Sequence, residues 1–247
     1  MPEHLTTLHW ILALVAAVFV GFNKAGVNGI DVIIVTLLIF VFGGRASTGI
    51  LMPVLIAGDL MAAAYYYRHV QWKYIKKMLP WMIAGVFAGA YLGKDLPEDT
   101  FRQWMSAIIL VTTILMFWWN SRKSKKIPDN RPFAATMGFA AGFTTMVGNL
   151  AGAFSNIYFL AMRLPKDHFI GTISWLFLII NLVKLPFHLF VWHTITPETL
   201  AINLRMLPAL IVGFLVGVSL IKKTPDAAFR TMILVLTAIG AVILFFR

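Results

Sequence analysis

The sequence predicts an all-α polytopic membrane protein built from two inverted five-segment repeats, eight to ten membrane segments in all, with a broken or re-entrant hairpin in each half. Three observations predict this. Of 247 residues 60% are hydrophobic and only 13% charged, and the mean hydropathy is +0.82, far above the range of soluble domains. Several uncharged runs reach the roughly 20 residues that a helix needs to cross a bilayer: Pro132 to Met162 carries no charge, and Ala46 to Tyr67 carries only Asp59. The third is internal repetition. Gly142-Phe143-Thr144-Thr145-Met146-Val147-Gly148-Asn149 falls in register with Gly21-Phe22-Asn23-Lys24-Ala25-Gly26-Val27-Asn28 at one offset (142 − 21 = 121).

Taken in order, segment one runs from Leu8 to Val20 and segment two from Asn28 to Phe42, both short because the polar, glycine-bearing stretch Gly21 to Ile30 interrupts them. Segment three is Ala46 to Tyr67, an apolar run long enough to span. Segment four, Met78 to Gly93, follows a basic loop, and segment five is Phe101 to Trp119. A basic, proline-containing connection then leads into segment six, Phe133 to Val147, and segment seven, Asn149 to Met162, again separated by glycine and asparagine. Segments eight, nine and ten are Phe169 to Trp192, Leu200 to Ile221 and Ala227 to Phe246. The division is a first repeat over 1–120, a basic cytoplasmic connection over 121–131 and a second repeat over 132–247. Leu79-Pro80, Gly85, Gly89, Pro97, Phe101 and Arg102 match Leu207-Pro208, Gly213, Gly217, Pro225, Phe229 and Arg230 at a second constant offset (208 − 80 = 128). Asp59-Leu60 falls opposite Asn181-Leu182 at an intermediate one (181 − 59 = 122), so the extra residues of the second half lie mainly in the loop before segment nine.

Charge sets the orientation. The net charge of +11 resides in short loops between apolar runs, as at Arg68, Lys73, Lys76 and Lys77, at Arg122, Lys123, Lys125 and Lys126, and at Lys222 and Lys223. Such loops stay in the cytoplasm. His193 to Thr199 lacks Lys and Arg, and Lys94 to Asp99 is net acidic, as suits the outer face. Both termini then lie outside, and the second unit is inverted relative to the first, a transporter signature. The expected location is the plasma or inner membrane. The start, Met1 to Thr7, lacks the basic region of a leader peptide, so the mature protein is expected to begin at Met1.

Polar residues at membrane depth mark sites, because an unpaired charge or a free backbone group is costly in lipid. Segments one and two are expected to dip in from outside and six and seven from the cytoplasm, so that their tips meet. Asn28 and Asn149 are placed to cap the second arm of each hairpin, with Asp31 three residues after Asn28 in a capping-box position. The helix starts, with Gly29 and Asn23 nearby, would offer N–H groups and a positive dipole end to an anion, strengthened by Lys24. Thr48, Thr145, Thr172 and Ser174 are hydroxyl donors of the same set, or ordinary helix hydroxyls. Asp59 and Lys184 form either a structural ion pair or the proton-coupling group with its supporting cation. Lys24 has an alternative too, reaching the external surface if segment one is a full span. Gly85, Gly89, Gly213 and Gly217 are assigned to helix packing. Arg45 is an interface anchor, and His188, His193 and Trp192 are interfacial, with no metal-ligand company.

Other classes are excluded by what the chain lacks. Without cysteine there are no disulfides, thiolate metal sites or thiol chemistry. No HExxH, no Gly-x-Ser-x-Gly and no paired intramembrane acids supply an enzyme. Little polar surface remains for nucleic acid, and no cofactor is expected. The glycine-bearing openings Gly21 to Gly29 and Gly142 to Gly152, followed by Ala46-Ser47-Thr48-Gly49 and Ile170-Gly171-Thr172-Ile173-Ser174, resemble the sulfite exporter TauE/SafE family of membrane permeases over nearly the whole chain. In the first half Lys-Ala-Gly-Val-Asn-Gly stands in place of that family's denser glycine run. The resemblance implies sulfite, sulfonates and related small organic acids as the substrate class. The residues themselves lead to the expectation of a secondary transporter, an exporter, that works by alternating access around the paired hairpin tips and is proton-linked through Asp59; a passive anion channel is the alternative. The partners expected are a small anionic substrate, the lipid bilayer and, in a homodimer, a second copy of the chain.

Overall fold

A computed structural model describes residues 5–121, 130–229, 231–233 and 235–236, and among them there are helices and no strands. The helices are α1 (Thr7–Ala25), α2 (Asp31–Phe42), α3 (Gly44–Tyr65), α4 (Trp72–Gly93), α5 (Glu98–Ser121), α6 (Arg131–Gly148), α7 (Gly152–Ala161), α8 (Lys166–Pro186) and α9 (Pro197–Lys222). A 3-10 turn, Tyr67–His69, follows α3, and α8 continues into a π-helical turn, Phe187–Val191. The Arg122 to Lys126 cluster lies outside the described residues. So does most of segment ten, of which 227–229, 231–233 and 235–236 are helical.

Local chemistry explains the helix starts. The hydroxyl of Thr6 accepts from the N–H of His9 at the head of α1, Asn130 accepts from Phe133 at the head of α6, and Thr196 accepts from Thr199 at the head of α9. Among the described residues four helices are long and apolar enough to cross a membrane: Thr7–Ala25, Gly44–Tyr65, Lys166–Val191 and Pro197–Lys222. The first of these corrects the expectation that segment one is short. Gly21, Phe22, Asn23 and Lys24 do not interrupt the run; they form the last turns of α1, and the break is confined to 26–30, where Gly26 (φ 121°) and Gly29 (φ 102°) take a backbone form that L side chains rarely adopt. In the second half Gly142 likewise lies inside α6, and the break is only 149–151.

The reason is packing. A side chain at Gly21 would meet the backbone of Leu210, Gly213 and Phe214 in α9, and one at Gly213 would meet the backbone of Val18. Gly142 touches the backbone of Met82 in α4, and Gly85 that of Phe139 and Phe143. Two of the glycines assigned from sequence to packing, Gly85 and Gly213, therefore lie against Gly142 and Gly21 of the glycine-bearing stretches. Removing Cβ lets backbones touch, which is how helices associate where lipid removes the hydrophobic drive. Trp10 faces Arg205, Gly21 faces Leu210 to Phe214 and Ala25 faces Gly217, so α1 and α9 run parallel. Met78 to Gly89 follow Gly138 to Met146 in the same sense. In contrast α3 and α8 run antiparallel: Tyr66 adjoins Gly171, Asp59 adjoins Asn181, and Gly49 adjoins Thr194.

Candidate functional site

Where α1 ends and α3 crosses α8, the interior holds more charge than any apolar core tolerates unpaired. Lys24, in the last turn of α1, is 6% exposed and places its ammonium 2.7 Å from Oδ1 of Asp59, which is fully buried in α3. The same ammonium lies 5.0 Å from the centre of the Phe177 ring. The other carboxylate oxygen of Asp59 accepts from Nδ2 of Asn181 at 2.6 Å. From there the bonds continue into the second half. Lys184, fully buried one turn along α8, donates to Oδ1 of Asn181 (3.3 Å), Oδ1 of Asn149 (2.6 Å) and the hydroxyl of Thr145 (3.1 Å). Asn149 then donates to the carbonyl of Thr48 at 3.3 Å.

This arrangement replaces three expectations. Asp59 and Lys184 do not form the ion pair weighed from sequence; Asp59 pairs with Lys24, and Asn181 stands between the two. Lys24 does not reach the surface although α1 has the length of a full span, because it sits at the buried end of that helix. Neither asparagine caps a second arm. α2 begins at Asp31 behind Ile30 and α7 begins at Gly152 behind Ala151, both without a side-chain cap. Asn149 instead ends α6 in the left-handed conformation (φ 56°), which frees its amide to face Lys184, and Asn28 turns back onto the carbonyl of Gly26.

The remaining site residues divide by position. Asn23, Lys24, Asn28, Asp59 and Ser174 line one small hollow of about 10 Å³, bounded also by Ile170, Ile173 and Phe177. That is room for about one water molecule. Gly29 lies in the turn beneath it. The hydroxyls of Thr48 and Ser174 bond carbonyls of their own helices, and Thr172 accepts from the N–H of Gln71 while donating to His168, away from the hollow. A larger cavity of about 250 Å³ opens between the end of α3, the start of α8 and the end of α9, lined by Tyr65, Tyr66, His69, Asp167, Ile221 and Lys222. Between the two lie Gly26, packed on Ile170 and Ile221, and the Tyr66 hydroxyl, which donates to the carbonyl of Ala25.

Several residues were misplaced or missed. His188 and Trp192 are buried, not interfacial: His188 Nδ1 shares a hydrogen bond with Thr194, and the Trp192 indole donates to the carbonyl of Ala90. Arg45 closes the end of α4 by donating to the carbonyls of Gly93 and Leu96, with Phe101 beneath its guanidinium. Asn181 and Asp31 belong to the polar interior, yet neither was counted as a binding residue. The signal was in the register. Asp59 and Asn181 stand at matching positions of the sequence register (181 − 59 = 122), and so do Asp31 and Gly152 (152 − 31 = 121); each pair touches in the fold.

Residues 13–244 match the family described as Sulfite exporter TauE/SafE. No curated protein and no solved structure matches the chain.

Proposed function

Because the chain belongs to the sulfite exporter TauE/SafE family, a family of membrane transporters, we propose that it is a secondary transporter that exports small anions of the sulfite and sulfonate class by alternating access around the two hairpin tips. The observation that carries this reading is the unbroken series of buried bonds from Lys24 through Asp59, Asn181 and Lys184 to Asn149, which ties the end of α1 to the end of α6. Two ammonium groups in one interior supply the attraction for an anion, and Lys184 supplies it with only neutral oxygens around it. A hollow at Lys24 no larger than about 10 Å³, lined by buried side chains, supports a carrier over an open pore.

The inverted architecture is part of the proposal. α3 and α8 hold equivalent places in the two halves and run antiparallel, so an axis relating them crosses the helices instead of following them. In a bilayer such an axis lies in the membrane plane, and each hairpin then enters from the face opposite the other, with both termini outside. Breaking the Lys24 to Asp59 contact during the cycle would leave a carboxylate uncompensated in a medium of low dielectric. It would then take up a proton, which links transport to a proton gradient.

Flux in proteoliposomes tests the reading. A carrier for sulfite or methanesulfonate saturates with concentration and accumulates its anion uphill under an imposed pH gradient. Voltage-driven current without saturation or accumulation would make the protein a passive anion channel instead.

A further inference from the structure

Resting on the transporter reading, we propose that the carboxylate of Asp31 stands where the transported anion binds, between the first turns of α2 and α7, and yields that place by taking up a proton. Three observations converge on it. Oδ2 of Asp31 lies against Gly152 so closely that a methyl group on that glycine would overlap it, while Oδ1 accepts from Nδ2 of Asn23 at 3.1 Å. Both helices begin there without a side-chain cap, so the positive dipole ends of both lie beside one and the same carboxylate. One turn along α7 from Gly152, on the same face, Ser155 and Asn156 are wholly buried, and the Ser155 hydroxyl and both polar atoms of the Asn156 amide have no partner.

Buried donors without acceptors beside a helix start are unfinished chemistry, and oxygens of a second anion would complete it. Asp31 cannot, because its two oxygens are already turned to Gly152 and Asn23. The charged side chain that acts on it is Lys24 of α1, itself paired with Asp59 of α3; α2 and α7 carry no other charged residue. Asp31 keeps partial exposure, so a proton can reach it. Two negative groups would repel strongly in this interior. The exchange therefore balances: a proton adds to the carboxylate, a monoanion enters, and the site keeps its net charge. One proton is taken up at this site for each anion bound.

Methanesulfonate is the suitable probe, since its own charge does not change over the working range. With wild-type protein in weak buffer, binding takes up about one proton per anion, and affinity falls about tenfold per pH unit once Asp31 is ionised. Asp31→Asn binds with no proton uptake and an affinity that no longer depends on pH. Asp31→Ser does the same, and either variant that elutes and melts as a folded protein decides the matter. Wild-type binding without proton uptake, or a folded variant that keeps the wild-type pH dependence, overturns this proposal and leaves the transporter reading intact. Failure of wild-type protein to bind methanesulfonate, sulfite or acetate at any pH removes both.

Discussion

Lys24 and Lys184 are both buried, but only Lys24 of the two has a carboxylate within ion-pair distance among the described residues. Their removal should differ accordingly. Asp59→Asn strands the Lys24 ammonium in the interior and is expected to destabilise the protein by about 3–5 kcal/mol, whereas adding Lys24→Met to it recovers most of the loss. Unfolding of the single and double variants in detergent measures this, and additive losses would show that the two side chains do not act as a pair. Lys184→Met deletes a cation whose neighbours are neutral oxygens, so its main expected effect falls on the ligand: at least about a tenfold loss of methanesulfonate affinity, or about 1.4 kcal/mol. Unchanged affinity would take Lys184 out of the site. At this scale the residue types were readable in advance, since lysine, aspartate and asparagine in an apolar run are conspicuous. Their partners were not, because Lys24 finds Asp59 across 35 positions of chain (59 − 24) and nothing in either local stretch encodes that contact.

Glycines illustrate how one residue type serves two purposes along one helix. Gly21 and Gly142 looked like interruptions because glycine is a poor helix former, with a propensity penalty of about 1 kcal/mol relative to alanine. Inside α1 and α6 the contact with a neighbouring backbone outweighs that penalty, and the helices continue. Gly26 and Gly29 are true breaks, since their positive φ values turn the chain from α1 into α2. Gly142→Val should therefore push α6 off α4 and destabilise by about 1–3 kcal/mol, the usual range for overpacking, with little change in which anion binds. A stability loss under about half of 1 kcal/mol would contradict the close approach. Sequence spacing placed Gly85 and Gly213 correctly as contact residues. It could not name what they touch, because both partners lie in the opposite repeat.

Arg68, after α3, and His193, after α8, are exposed, and in the proposed inverted arrangement they stand on opposite faces of the membrane. The natural chain has no cysteine, which makes single introduced thiols unambiguous reporters. Arg68→Cys should react with a membrane-impermeant thiol reagent only from the cytoplasmic side, and His193→Cys only from outside. Labelling of both from one side would remove the inverted arrangement and with it the alternating-access scheme. Composition and spacing carry apolar length and loop charge, and from these the chain was legible as a helical membrane protein; its repeat register adds the expectation of two similar halves with polar breaks at matching places. Only the tertiary structure decided that the interior charges are joined through Asn181, and that Asp31 rests against Gly152. The contacts of Asp59 with Asn181 and of Asp31 with Gly152 join residues 122 and 121 positions apart (181 − 59, 152 − 31), which only folding brings together, and a linear pattern records their matching register without recording the touch.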